Sequence, residues 1–360
     1  MSGVVFRVDA SLASGSGHVM RCLTLATALR AGGAAVSFVC RVHPGHLCGL
    51  IEERGFAVRR LAAPDPAFVP AGGPYAAWLG AAPAEDAAQT LAALDGRPDW
   101  LVVDHYAIDA AWEGALRGAV GRILALDDLA ERRHDCDILL DQNMVAGMDG
   151  RYAGLLPPGC ATLLGPDYAL LQPEYAEWRA RRAPPRQPPR RLFAFFGGVD
   201  PADLSGKTLQ AFLALGRAGL ELDLVLPTQY PQEALRARAA GHANVRLHSG
   251  LPSLAPLMAR ADLALGACGA TSWERLALRL PALVVLAAEN PRAGALEQQR
   301  RGLAFLLGTA AELDAGAILA ALRRVYAEGV AALVPGALEA TVDAGGVQRV
   351  LLRMAARERQ

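Results

Sequence analysis

Lysine is almost missing from this chain: of its 36 basic residues only Lys207 is not an arginine. The 36 acidic residues balance them, and a formal net charge of zero gives no electrostatic reason to expect nucleic acid or an anionic membrane surface as a partner. The arginine bias, with abundant alanine, is compositional, of the kind a GC-rich genome leaves. Also missing is any run of about 18 apolar residues free of charge, as a membrane span requires. The start, Met1 to Asp9, lacks the uninterrupted apolar stretch of a signal peptide. The cysteines Cys22, Cys40, Cys48, Cys136, Cys160 and Cys268 are scattered and form no C-x-x-C pair. A disulfide framework staples small secreted domains, which this is not. These absences lead to the expectation of a cytoplasmic protein without membrane insertion.

What is present is enough apolar matter for two cores. A chain of 360 residues, 52% hydrophobic and 20% charged, suits two domains of about 150 residues each. Short apolar runs recur at Val4–Val8, Ala34–Val39, Leu101–Asp104, Ile123–Asp127 and Ile138–Asp141, with helical spacing between them. After a break they recur at Leu192–Phe196, Leu222–Leu226, Val245–His248, Asp262–Leu265 and Ala282–Leu286. Such runs are the mark of parallel strands covered on both faces. The break is Arg181–Arg191, with four prolines and five arginines, which can neither continue a helix nor enter a sheet core. The expected fold is therefore α/β, with two Rossmann-like domains facing each other across a cleft. Its divisions are residues 1–180, a linker at 181–191, a second domain at 192–345 and a C-terminal helix at 346–360. That helix, read as Gly346–Arg359, is expected to pack back across the domain junction. In such sheets ligands bind beyond the carboxyl ends of the strands.

The first candidate site is Gly15-Ser16-Gly17-His18, between the first strand and the first helix. Glycines let a ligand approach the backbone closely, and a helix start offers unpaired N–H groups. This is not G-x-G-x-x-G, because Met20 stands at the third glycine's place. The positive helix end favours a neutral, proton-accepting imidazole at His18. On spacing alone His18 is either a catalytic base or a histidine that bonds its own loop.

Here the chain resembles the PseG-type UDP-sugar hydrolases. The resemblance is carried by Phe6-Arg7-Val8-Asp9-Ala10-Ser11, by Gly15–Leu23, by Val103-Asp104-His105-Tyr106 and by Leu126–Ala130. It continues through Asp137–Asn143, Leu164–Leu171, Phe195–Asp200, Gly266–Leu276 and Asp343–Val350, in order, over nearly the whole chain. The family implies a GT-B-like architecture, His18 as catalytic base, and hydrolysis of UDP-2,4-diacetamido-2,4,6-trideoxy-β-L-altropyranose in pseudaminic acid biosynthesis. The implied products are UDP and the free sugar, without a cofactor, and direct displacement of the diphosphate by water would invert the configuration at the anomeric carbon. Substrate contacts are expected from Asp9, Gly15, Gly17, Arg21, His105 and Tyr106, with a structural hydrogen bond the equal alternative for His105, and in the second half from Gly197, Gly198 and Asn290. Asn290 is followed by Pro291 where the family pattern has glutamine, which removes an amide and a backbone donor.

The segment from Gly266 to Glu274 also reads as a nucleotide site on its own residues. Gly266, Gly269 and Ala270 would open a turn whose N–H groups cradle a diphosphate, Thr271 and Ser272 would add hydroxyls, and Glu274 would meet the ribose. The alternative makes Thr271 or Ser272 a plain N-cap and Glu274 a carboxylate favoured by the helix dipole. Gly197-Gly198 is a second cradle or simply a tight turn. Asp9 is placed to orient His18 or substrate hydroxyls. Asp127 and Asp128 point oppositely on a strand, which suits one structural carboxylate and one at the site. His43, His46 and Cys48 lack the partners of a tetrahedral set, so no metal is expected. The rival functions are a GT-B glycosyltransferase, which needs an apolar acceptor surface that the first half does not advertise, and a non-catalytic nucleotide-sugar-binding protein.

Overall fold

The apolar runs read from the sequence become the central strands, and one margin strand, of two parallel sheets. The computed structural model describes residues 3–228, 230–336, 338 and 341–357. They divide into two units: the first runs to Asn143, adds Gly147–Leu170 and takes back the chain from Gly345, and the second holds Met144–Ala146 and Leu171–Ala344.

In the first unit the strands are β1 (Gly3–Val8), β2 (Ala35–Arg41), β3 (Ala57–Leu61), β4 (Trp100–Asp104), β5 (Arg122–Leu126), β6 (Ile138–Asp141) and β7 (Ala161–Leu164). Their order is β3-β2-β1-β4-β5-β6-β7, with every pair parallel. Val4, Phe6 and Val8 face one side of β1 at alternate positions and are almost wholly buried, with the Phe6 and Phe38 rings stacked at 4.9 Å. Each such side chain contributes about 1.5–3 kcal/mol on burial. The second unit repeats the plan with β8 (Arg191–Phe195), β9 (Glu221–Leu226), β10 (Val245–Ser249), β11 (Leu263–Ala267), β12 (Ala282–Leu286) and β13 (Phe305–Thr309). Their order is β10-β9-β8-β11-β12-β13. Each sheet reverses its winding beside its first strand, between β1 and β4 and between β8 and β11. Those two points are where open α/β sheets hold ligands.

The chain crosses between units at Leu170–Leu171, ahead of the proline-rich segment expected as a linker. That segment is instead tied to the second unit. Asp262 accepts hydrogen bonds from the backbone N–H groups of Arg186, Arg190 and Arg191, each at 2.9 Å, and Arg182 reaches the Ala261 carbonyl at 2.6 Å. One buried carboxylate thus fixes a strap that prolines keep out of regular structure. At the other end, helix Gly346–Arg357 returns to the first unit, burying Val347, Val350 and Met354 in its core. The expected extension to Arg359 lies outside the described residues.

Candidate active site

The loop after β1 ends in Gly15, at φ +73°, and passes through Ser16 into helix Gly17–Ala31. A left-handed φ is what glycine adopts without strain. Ser16 makes no side-chain cap, so the first N–H groups of that helix are left to other partners. A Cβ on Gly15 or Gly17 would meet nothing within 4 Å, so the space beside the loop is open.

His18, 9% exposed, faces the end of β4. Its Nδ1 lies 2.6 Å from Asp104 Oδ1. Asp104 is fully buried and also accepts from Arg21 Nε at 2.6 Å and Nη2 at 2.7 Å. Burial alone would raise the Asp104 carboxyl, but Arg21 and His18 outweigh it and hold the group far below the usual carboxylate range. An ionised Asp104 can only accept, so in the neutral ring it is Nδ1 that carries the proton and Nε2 that presents its lone pair. No hydrogen bond from a described residue reaches Nε2. The arrangement is that of a base whose tautomer is fixed from behind.

The chain of contacts continues from Arg21, whose Nη1 and Nη2 hold both oxygens of Asp128 at 2.9 and 2.8 Å. Asp128 further accepts from the Tyr106 hydroxyl and from Asn143 Nδ2, both at 2.7 Å. Burial and the neighbouring Asp128 raise the Tyr106 phenol well above its ordinary pKa, so it stays protonated. Its ring meets His18 edge-on at 4.6 Å.

Three expected roles change with this geometry. Arg21 was expected to touch substrate, but it is 8% exposed and clamps two carboxylates in place. Asp9 was expected to orient His18 or substrate hydroxyls; it is Asp104 that holds His18, while Asp9 receives the Arg41 N–H at 2.6 Å and pairs with Arg7 at 2.7 Å. Asp9 and His18 are close in sequence, but β1 and β4 are neighbours in the sheet, and it is β4 that carries the partner. His105 uses both ring nitrogens internally: Nδ1 accepts the Ala107 N–H at 3.1 Å and Nε2 lies 3.3 Å from the Trp78 carbonyl. Burial pushes it down to about 4, so it is neutral. Of the aspartate pair, Asp127 is fully buried and binds the Leu129 and Ala130 N–H groups, while Asp128 joins the His18 cluster.

Sequence reasoning missed the segment at 62–82. It brings Tyr75 and Trp78 to the site: Trp78 stacks on Tyr106 at 5.5 Å, Tyr75 meets both rings at 4.9 and 5.0 Å, and Trp78 lies 6.4 Å from His18. Gly80, at φ +72°, closes the segment where a Cβ would be 2.6 Å from Pro64 Cγ and 2.7 Å from His43 Cε1. Beneath it is a cavity of about 380 Å³ whose lining includes Phe68, Tyr75, Leu79, Tyr106, Leu129 and Arg132. The first half therefore does hold an apolar recess, contrary to the expectation from sequence. The signal available was two aromatics beside Gly72-Gly73-Pro74.

In the second unit the expected residues gather at the carboxyl ends of β8, β11 and β12. Gly197 turns at φ +105° after β8, and Gly198 is exposed beside it. Asn290 is exposed in the turn before helix Arg292–Arg300, with Pro291 as its N-cap. Gly269 and Ala270 form the exposed turn after β11, Gly269 at φ +148°. Gly266, expected in that turn, lies instead inside β11, where a Cβ would be 2.7 Å from both the Phe195 carbonyl and Arg275 Nη1. Neither Thr271 nor Ser272 is the N-cap of helix Thr271–Ala277; Ala270 is, with no side-chain cap. Glu274 is pushed up to about 7 by burial, against a hydrogen bond from Tyr175, and its Oε2 is buried with no hydrogen-bond partner among the described residues. A buried carboxylate oxygen left unpaired is suited to a hydroxyl donor from outside the protein. Among the described residues no group of three His, Cys, Asp or Glu side chains is arranged to hold a metal, and no helix is long and apolar enough to cross a membrane.

No protein-family model matches the chain. A UDP-2,4-diacetamido-2,4,6-trideoxy-beta-L-altropyranose hydrolase of Campylobacter jejuni is 28% identical over 258 residues, covering 71% of this chain and 81% of that protein. An uncharacterized protein of Methanocaldococcus jannaschii is 23% identical over 294 residues, covering 79% of this chain and 55% of that protein. Among solved structures, Acinetobacter baumannii MurG matches with a TM-score of 0.63 at 16% identity, over 99% of this chain and all of that one. Arabidopsis thaliana UGT89C1 complexed with UDP also matches at 0.63, with 12% identity over 98% of this chain and 100% of that one. These two structural likenesses are likenesses of fold, and the fold is GT-B-like.

Proposed function

We propose that this chain, a member of the PseG-type family of UDP-sugar-processing enzymes, hydrolyses a UDP-linked 2,4-diacetamido-2,4,6-trideoxyhexose to UDP and the free sugar. The observation that carries the reading is His18, held through Nδ1 by Asp104 so that Nε2 is free to take a proton. In the proposed step Nε2 removes a proton from water as its oxygen bonds to the anomeric carbon. The bond from that carbon to the diphosphate oxygen breaks, its electron pair leaves with UDP, and the configuration inverts. Positive charge then on His18 is met by Asp104, already ionised. The second unit would hold the nucleotide, with donors at Gly269–Ser272 on the diphosphate and Glu274 on the ribose. Tyr106, Gly15 and Gly17 would border the sugar. The setting proposed is cytoplasmic, in pseudaminic acid biosynthesis.

The test is incubation with a panel of UDP-sugars in buffer without acceptor, following UDP release and product stereochemistry together. His18→Leu is expected to lower UDP release by about 10²–10⁴-fold with the fold intact by circular dichroism. Near-normal release in that variant would remove His18 as the base. The cavity under residues 62–82 favours one second reading, a transferase that passes the sugar to an apolar acceptor. Release of UDP that appears only when an acceptor is added would decide for it.

A further inference from the structure

Arg275 is 2% exposed, yet it forms no ion pair with a described carboxylate. Among the described residues its guanidinium donates only to uncharged groups: Thr271 Oγ1 at 3.2 Å, Ser272 Oγ at 3.0 Å and the Ala267 carbonyl at 3.1 Å. Burial lowers its pKa, and Cys268 and Glu274 compensate only in part. A buried cation that is hydrogen-bonded only by neutral groups, with a neighbouring carboxylate that offsets its burial only in part, is unfavourable, and folds keep such groups where something outside the chain completes them. Room for it is made deliberately, since Gly266 is the one residue type that leaves space for Nη1 beside β11.

The donors also dictate where nearby protons point. A guanidinium has no acceptor, so Thr271 and Ser272 must accept from it with their oxygens. Ser272 Oγ accepts a second bond, from the Gly269 N–H at 3.4 Å. Both hydroxyl protons are then left to be donated elsewhere. The exposed turn at Gly269 and Ala270 lies directly beside them.

We propose that Arg275 is the positioning residue of a diphosphate site, supplying buried positive charge beneath the turn and holding the Thr271 and Ser272 hydroxyls as outward donors. This rests on the reading of the second unit as the nucleotide holder. Arg275 acts through the two hydroxyls and through its field, without touching the ribose or the base.

The test compares affinities for UDP, uridine and inorganic pyrophosphate by calorimetry on the full chain. Arg275→Met is expected to weaken UDP and pyrophosphate by about tenfold or more and uridine by a clearly smaller factor, because Arg275 also favours the ionised Glu274. Arg275→Lys is expected to fall between. Thr271→Val combined with Ser272→Ala keeps the arginine in place and should show the same selective loss, which keeps the test usable if Arg275→Met fails to fold. Parallel weakening of UDP and uridine, or undiminished UDP affinity, would overturn the role of Arg275 alone. Wild-type protein that binds pyrophosphate but not UDP leaves the anion site standing and removes the nucleotide reading. Wild-type protein that binds neither removes both.

Discussion

At the scale of single residues, the candidate base depends on a proton that is placed by a neighbour. Asp104 fixes Nδ1–H on His18 because it is ionised and acceptor-only, and it stays ionised because Arg21 grips it through Nε and Nη2. Asp104→Asn keeps the shape but lets an amide donate to Nδ1, which would move the ring proton to Nε2 and abolish its basicity. That change is expected to lower kcat for UDP release by about 10²–10⁴-fold. Affinity for UDP, assigned to the other unit, should be unchanged. A kcat within threefold of the parent would show that Asp104 does not set the tautomer. His18 was legible in the sequence from its glycine loop, but its partner was not. The two are 86 positions apart, and only the strand order places β4 against β1. Sequence proximity pointed to Asp9 instead, which the fold uses to pin Arg41 and Arg7.

At the scale of elements, the central strands and the margin strand β10 were legible, and the other three margin strands were not. β3, β7 and β13 each stand at the margin of a sheet. A margin strand is only partly covered, so its apolar run is short or broken: β3 reads Ala-Val-Arg-Arg-Leu and β13 carries Gly308. The segment at 62–82 was illegible for another reason, because nothing periodic marks a loop that is held by ring contacts. Its anchor is Gly80, which combines a left-handed φ with a crowded Cβ position. Gly80→Ala is expected to destabilise the first unit by about 1–3 kcal/mol and to loosen this segment first. Limited proteolysis should then cut between residues 62 and 82 well before the sheet unfolds, with a change in Trp78 fluorescence. Equal protease resistance in parent and variant would show that Gly80 does not hold the segment.

At the scale of the whole molecule, buried ionisable groups in the first unit set how its stability varies with pH. Asp9, Asp104 and Asp127 are held below their ordinary range, so their contribution is present above about pH 4 and is lost as pH falls. Asp141 is pushed by burial up to about 6, and its contribution is lost as pH rises from about 4 to about 6. His134 governs the alkaline side. Burial pushes it down, but Asp127 and Glu113 outweigh burial and raise it to about 9. Glu113 Oε1 lies 2.8 Å from Nδ1 and Asp127 Oδ2 lies 3.7 Å from Nε2. A folded-state pKa above the unfolded value means that the folded state binds the extra proton. The stability this gives is complete below about pH 6.5 and disappears as pH rises through about 9. The span is worth on the order of 3 kcal/mol. Thermal unfolding followed from pH 6 to pH 10 should therefore show the first unit's transition falling steeply between those values. In His134→Gln, which keeps a donor without a charge that titrates, the same transition should start lower and stay nearly level across that interval. A parent profile as level as the variant's would mean that His134 carries no proton at neutral pH, and that Glu113 and Asp127 are balanced by Arg132 and the backbone alone.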